Sequence, residues 1–371
     1  MVTAAMFLAA AAGVGAFGWS GEVLLLPIAC LFPALWAFAP TRLVAGMVSM
    51  AYFMAASRGL PNGVSIFYAS DIWVGLGLWI AASLLFVAVH TVLWSPKPGW
   101  HRPLRYLFAA TLMSVPPLGI VGWASPITPA GVLFPGWGWG GLAITAAGLT
   151  VMSTRAWPLA TVAMGVAFAL SAITWTDPAA PKGWVGIDTT FDYQVAGNHA
   201  DYEQHMETIA LVTIILPESA LGIWTPTAER LWTRNLVGLD VVVAGGAVVI
   251  NESGYDNVMI ELTGEGTRIL YRERMPVPVS MWRPWEEGGA TAQFFGNPTG
   301  RIAGTSIAPL ICYEQLIVWP ILQSMLLRPD LIVATGNGWW TGDTNIVPIQ
   351  KASARAWAAL FGLRLVIAFN T

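Results

Sequence analysis

Three short segments carry side chains whose types and spacing suit chemistry. In Ile307-Ala-Pro-Leu-Ile-Cys312-Tyr313-Glu314 an apolar strand ends in a cysteine, and an apolar helix is expected over Glu314–Leu327. A strand-to-helix turn lifts the residue at its tip out of the sheet, and the amino end of the helix favours a thiolate. Cys312 is thus a candidate nucleophile, with a buried small hydrophobe as an equal alternative. Leu211–Leu216 followed by Pro217-Glu218-Ser219 repeats the architecture with a carboxylate at the tip. An acid after six apolar residues is costly to bury without a partner or a task. Glu218 therefore reads either as a general base with a raised pKa or as a helix first-turn acid with Ser219 helping to cap. In Thr335-Gly-Asn-Gly-Trp339-Trp340 the glycines permit close backbone approach to a ligand, and an exposed tryptophan pair marks a contact surface. The four histidines, His90, His101, His199 and His205, have neither metal-ligand spacing nor a place beside Cys312, so neither a metal nor a cofactor is expected. His90 reads as a packed polar group in or near a membrane helix.

The elements that must position these residues differ sharply between the two halves of the chain. Of 371 residues 56% are hydrophobic and 11% charged, far below the quarter or so of a soluble domain. Residues 1–176 hold six Lys/Arg and two acids, whereas the remainder holds twelve basic and nineteen acidic side chains. Such asymmetry points to two solvents, and the acidic half argues against a nucleic-acid partner. About seven apolar runs suit membrane spans: Ala4–Trp19, Val23–Ala39, Leu43–Ala56, Trp73–Leu93, Tyr106–Trp123, Trp137–Met152 and Leu159–Trp175. The first lacks a basic leader and reads as a retained span. With the amino terminus inside, the cytoplasmic loops carry Arg42, then Lys97, Arg102 and Arg105, then Arg155, while the outer loops carry only Arg58. That bias puts everything after residue 176 on the far side of a bacterial inner membrane, in the periplasm. From Lys182 onward short strands are expected at Val185–Asp188, Leu211–Leu216, Val241–Ile250, Val258–Leu262, Arg268–Tyr271, Ile307–Cys312, Leu331–Thr335 and Leu365–Phe369. Helices are expected at Asp201–Ile209, Glu314–Leu327 and Gln350–Leu360, which makes residues 182–371 a layered α/β domain after a multi-pass helical domain over 1–176.

In order, Leu216-Pro-Glu218, Gly254-Tyr-Asp-Asn257, Tyr271 through Pro278, Ile311-Cys-Tyr-Glu314, and Thr335 through Trp340 followed by Gln350 and Ala354-Arg-Ala356 resemble the nitrilase (carbon-nitrogen hydrolase) superfamily. With the preceding spans, the chain is similar to its membrane branch, which includes apolipoprotein N-acyltransferase and the TraB-type conjugal-transfer proteins. The resemblance implies an αββα sandwich and an acyl transfer through a cysteine thioester. Cys312 matches the nucleophile, Glu218 the general base and Glu314 a supporting carboxylate, with Tyr313, Trp339 and Trp340 at the substrate. The implied partners are a phospholipid acyl donor, an exported protein acceptor, membrane lipid and proteins of a plasmid conjugation apparatus. Two departures stand out. The family lysine falls on Glu273 within Tyr271-Arg-Glu-Arg-Met-Pro-Val-Pro278, so either a register shift brings Arg272 or Arg274 to the oxyanion, with Arg274 the candidate stabiliser, or the site does not perform the usual reaction. A carboxylate there would repel a thiolate. The chain also stops at Thr371 where relatives continue, so the sandwich is expected to lack its last strands and to expose a sheet edge. A periplasmic amidase or peptide-processing enzyme, and a non-catalytic membrane scaffold, are the alternative functions.

Overall fold

The computed structural model describes residues 2–97, 99–190 and 212–371. The helix expected over Asp201–Ile209, with His199 and His205, lies outside them. The chain divides into two compact units, one of Met1–Pro178, Leu316–Trp319 and Thr341–Leu363, the other of Ala179–Gln315, Pro320–Trp340 and Arg364–Thr371.

The first unit is helical. Its elements are α1 (Val2–Gly18), α2 (Phe32–Ala37), α3 (Arg42–Ala56), α4 (Leu60–Phe67), α5 (Ile72–Leu93), α6 (His101–Leu112), α7 (Ala130–Leu133), α8 (Gly138–Met152) and α9 (Trp157–Thr174), with a 3-10 stretch over Val23–Leu31. Among the described residues two helices are by themselves long and apolar enough to cross a membrane, α5 with 22 residues and α9 with 18; α3 and α4 make a third candidate bent by 55°. At 1.5 Å per residue α5 is about 33 Å long, the thickness of a hydrocarbon core. The other expected runs form shorter helices. The run Tyr106–Trp123 stops being α-helical at Leu112, because Pro116 and Pro117 have no N–H to continue the ladder. The outer stripe of α9, Leu159, Val162, Val166, Leu170 and Ile173, is exposed up to 83% at Ile173. An uncovered apolar face of this kind marks a contact surface. Inside, Trp19 Nε1 donates to Tyr52 OH at 2.9 Å, and Trp36 Nε1 to the carbonyl of His90 at 2.9 Å. His90 is buried in α5 with Nδ1 2.9 Å from Phe86 O, the packed polar group expected.

The helix Ile346–Phe361, assigned from sequence to the carboxy-terminal domain, packs within this first unit. Its small residues allow close contact: a Cβ on Gly131 would lie 1.6 Å from Ala356 O. Gly136 N donates to Ala359 O at 2.7 Å on the same side.

The second unit contains two sheets. The first has the order β1 (Trp184–Gly186), β2 (Val212–Ile215), β3 (Val241–Ile250), β4 (Gly254–Thr263), β5 (Gly266–Arg272), with β6 (Gly289–Ala290) also on β4. The second runs β10 (Arg364–Asn370), β9 (Leu331–Asn337), β8 (Thr305–Ile311), β7 (Gly300–Ile302). The first three strands of each order are parallel and the remaining neighbours β3–β4, β4–β5 and β7–β8 antiparallel. Ile215, Ala244, Met259 and Tyr271 from one sheet share a core with Ile307, Ile311, Val333 and Val366 from the other, so the sheets pack face to face. On the outer face of the first sheet lies α10 (Pro226–Leu236), which buries Trp232 and Leu236 against Leu221, Ile260 and Leu262. It starts at Thr225, whose hydroxyl accepts from Ala228 N at 3.2 Å, with Pro226 in the first turn.

Two expectations change. The helix expected over Glu314–Leu327 is a 3-10 turn, Cys312–Gln315, followed by α11 (Val318–Met325). Pro320 is compatible only with a first helical turn, so α11 cannot begin four residues earlier. The edge of β10 is not left open either. Asp188 accepts from Phe369 N at 2.8 Å through Oδ1, Thr189 N donates to Phe369 O at 2.8 Å, and Thr371 N donates to Thr189 O at 2.8 Å. Gly186 makes the approach possible, since a Cβ there would meet Ile367 O at 1.9 Å.

Candidate active site

Two left-handed turns build the site. After β8 the backbone reaches Cys312 with φ +46°, and after β2 it reaches Ser219 with φ +64°, directly beyond Glu218. Non-glycine residues hold such angles only when the surroundings over-determine them. At Glu218 the cause is β3: Leu216 N donates to Ala244 O at 2.8 Å and Gly246 N to Pro217 O at 3.1 Å. Gly246 has no side chain to obstruct this, and a Cβ there would lie 2.6 Å from Glu218 Cα and 2.7 Å from Ser219 N. We expect Gly246→Ala to destabilise the unit by about 2 kcal/mol and to slow any Cys312-dependent reaction at least tenfold, because backbone must move. Chemical unfolding and rates of Cys312 modification by an electrophile check this.

At Cys312 the cause is Glu314. Its Oε2 accepts from Ile311 N at 2.9 Å, its Oε1 from Arg274 N at 2.9 Å, and both from Tyr271 OH at 2.7 and 2.8 Å. Gln315 Nε2 adds a bond to Thr335 O at 2.9 Å. The turn carrying the thiol is thereby stitched to β9 and to the segment after β5. Glu314 is fully buried and engaged with these donors, so it holds the turn.

The thiol and Glu218 do meet. Glu218 is only 5% exposed, and burial pushes its pKa from 4.5 up to about 7, against the pull of the Asn257 amide, the Cys312 thiol and the Asn337 backbone N–H. The nearby Glu314 carboxylate adds to the rise. Asn257, on β4, donates Nδ2 to Glu218 Oε1 at 2.7 Å, while Glu218 Oε2 has no hydrogen bond of good geometry among the described residues. A carboxyl group that titrates near neutrality beside a thiol can take its proton and give it back.

Arg274 does not fill the expected role. Its guanidinium is fully buried and committed elsewhere, Nε to Tyr271 OH at 2.7 Å, one terminal nitrogen to Gln323 Oε1 at 2.7 Å and the other to Ser324 Oγ at 3.0 Å. Nε also lies 3.7 Å from Glu314 Oε1. Tyr271, between them, has its pKa raised by burial and by Glu314, against the pull of Arg274. Arg272 is the ion-pair partner of Asp256. The residue that faces Glu218 is instead Glu273, 1% exposed, whose Oε2 accepts from the same Asn257 Nδ2 at 3.0 Å. Sequence reasoning set Asn257 in a motif but not in the site. A polar residue on the buried face of a strand, next to Val258, Met259 and Ile260, was the available signal.

The two tryptophans are less exposed than expected. Tyr313, Trp339 and Trp340 are half-buried, burial raises the Tyr313 pKa, and Trp340 Nε1 turns back to Asn337 O at 2.9 Å. Asn337 is in turn held by Asn370, whose Nδ2 donates to Asn337 Oδ1 at 2.9 Å.

The sequence profile of the carbon-nitrogen hydrolases matches residues 54–359. The chain is 56% identical to the conjugal transfer protein TraB of Agrobacterium fabrum over 391 aligned positions, covering 99% of this chain and 93% of that one. It is 54% identical to the probable conjugal transfer protein TraB of Sinorhizobium fredii, with 96% of each chain covered. Among solved structures, Nit3 of Saccharomyces cerevisiae, a nitrilase-superfamily member, aligns with a TM-score of 0.39 and 12% identity over 50% of this chain and 74% of that one.

Proposed function

We propose, for a chain that belongs to the carbon-nitrogen hydrolase family and is homologous to TraB conjugal transfer proteins, that it is an acyltransferase of the inner membrane which modifies an exported protein in plasmid conjugation. The observation that carries this reading is Cys312, held in a left-handed turn beside Glu218, whose carboxyl titrates near neutrality. Glu218 takes the proton from Sγ as the thiolate attacks the ester carbonyl carbon of a phospholipid. Collapse of the tetrahedral adduct expels the lysophospholipid alkoxide, which receives that proton, and leaves a Cys312 thioester. An amine of the acceptor then attacks the thioester, the amide forms, and the sulfur leaves and recovers a proton.

Lipid as donor is supported by the exposed apolar stripe of α9 and by the two membrane-length helices. Several further spans and a periplasmic carboxy-terminal domain are the topology that the Lys/Arg distribution favours. Other proteins of the conjugation apparatus are the proposed acceptors.

The test is incubation of the full chain in vesicles containing phospholipid labelled in the acyl chain. We expect hydroxylamine-sensitive label on the peptide containing Cys312. Absence of label at any pH ends the proposal. If an amide substrate is cleaved and phospholipid is untouched, the same thioester serves an amidase. The carboxylate at 273 favours one second reading, a scaffold without chemistry, in which Cys312→Ser leaves conjugation unchanged.

A further inference from the structure

Glu218 and Glu273 reach the same amide from two directions, one from the turn after β2 and the other from the segment after β5. Asn257 has two N–H groups on one nitrogen and gives one to each carboxyl group. Both acids are at least nine-tenths buried, and each keeps one oxygen, Glu218 Oε2 and Glu273 Oε1, without a hydrogen bond of good geometry among the described residues. Two carboxylates so close and so dry cannot both ionise at neutral pH, because desolvation and mutual repulsion act together. A third acid, Glu314, adds its charge, and the buried guanidinium of Arg274 is committed to Tyr271, Gln323 and Ser324.

We propose that Glu273 serves the site as a neutral carboxylic acid, paired across Asn257 with an ionised Glu218, its free Oε1 carrying a hydrogen-bond donor into the site. The asymmetry follows from the surroundings. Glu218 has three groups that favour its charge, the Asn257 amide, the Cys312 thiol and the Asn337 N–H, whereas on Glu273 only the Asn257 amide does so, against burial, Glu218 and Glu314. Of the other elements, β4 brings neutral Asn257 and an Asp256 paired with Arg272, and β9 brings neutral Asn337. The repulsion that a carboxylate at 273 would impose on a thiolate is thereby removed. A buried acid kept neutral can donate to a developing oxyanion. In the resting site the pair carries one negative charge and one proton. When Glu218 takes the Cys312 proton both acids are neutral and the charge passes to sulfur, then to the acyl oxygen. Glu218 returns its proton to the leaving group, and Glu273 keeps its own throughout.

The kinetic arm rests on the Cys312 reading above; the spectroscopic arm does not. Infrared spectra of the full chain in vesicles near pH 7.5 are expected to contain the carbonyl stretch of a protonated carboxylic acid that disappears in Glu273→Gln and persists in Glu218→Gln. A stretch unaffected by Glu273→Gln, or lost only in Glu218→Gln, overturns the inference. If Glu273→Gln does not fold, Glu273→Asp must shift the same band. With p-nitrophenyl butyrate as probe, adduct formation in the wild type is expected to be bell-shaped in pH, falling on the acid side as Glu218 is protonated and on the alkaline side as Glu273 loses its proton. Glu273→Gln, still a neutral donor, should slow it by less than about tenfold and abolish the alkaline fall, whereas Glu273→Ala should slow it on the order of 100-fold. Equal slowing by Gln and Ala at every pH overturns the inference. A wild type that forms no adduct while the infrared result holds sinks the nucleophile reading alone.

Discussion

Cys312→Ala is expected to abolish acyl-adduct formation, a loss on the order of 1,000-fold or more, while leaving the carboxy-terminal unit folded. Removing the nucleophile from a group of residues that act together removes nearly the whole rate advantage of the group. The stability change should be small, since one sulfur leaves a site whose turn is held by Glu314 and Gln315 rather than by the thiol. The backbone offers an independent check. At φ +46° an alanine is as strained as the cysteine, but a glycine is not. Cys312→Gly should therefore be about 1 kcal/mol more stable than Cys312→Ala while equally dead. Label transfer from phospholipid measures the first effect, and urea-dependent proteolysis of the carboxy-terminal unit measures the second. Residual label on Cys312→Ala would place the acylation elsewhere in the chain.

The second large effect is on folding. Arg274→Ala should destabilise the carboxy-terminal unit by about 3–5 kcal/mol, the cost of leaving a buried charge without its partner. The guanidinium satisfies Tyr271, Gln323 and Ser324 together and is the cation next to buried Glu314. That is a large share of the 5–15 kcal/mol a domain possesses, so activity should vanish because the turn around Cys312 melts. Arg274→Lys should recover only part of the loss, because one ammonium cannot reproduce the planar fork. The urea midpoint of protease resistance separates the three proteins. An Arg274→Ala chain as resistant as wild type would mean that the buried network contributes little.

These outcomes bear on how far the residues could be read in advance. The strand tips carrying Cys312 and Glu218 were legible because short β-branched runs ending at polar turns need no tertiary information to be recognised. Their meeting was implied by resemblance to a family rather than by spacing, since 94 positions separate them in the chain. The helix Pro226–Leu236 went unnoticed although a threonine cap followed by proline is a local start signal; its apolar face is narrow, with Trp232 and Leu236 alone fully buried. The helix Ile346–Phe361 was legible as a helix, but its allegiance was not. Small residues such as Ala352 and Ala356 permit close packing without specifying the partner.

The excess of apolar residues, the unequal charge of the two halves, the strands and the candidate nucleophile and base all follow from the amino-acid order, because hydropathy and local propensity act over a few residues. Resemblance set Glu273 at the family lysine but left a register shift to Arg272 or Arg274 open, and only the folded sheets decide which of the three faces Glu218. Successive side chains alternate sides, so one step of register exchanges every partner, and β4 and β5 contain an irregularity between Met259 and Ile260 that sets this step. Long-range pairing therefore sent the two arginines to Asp256 and Glu314 and turned the acid between them toward Asn257.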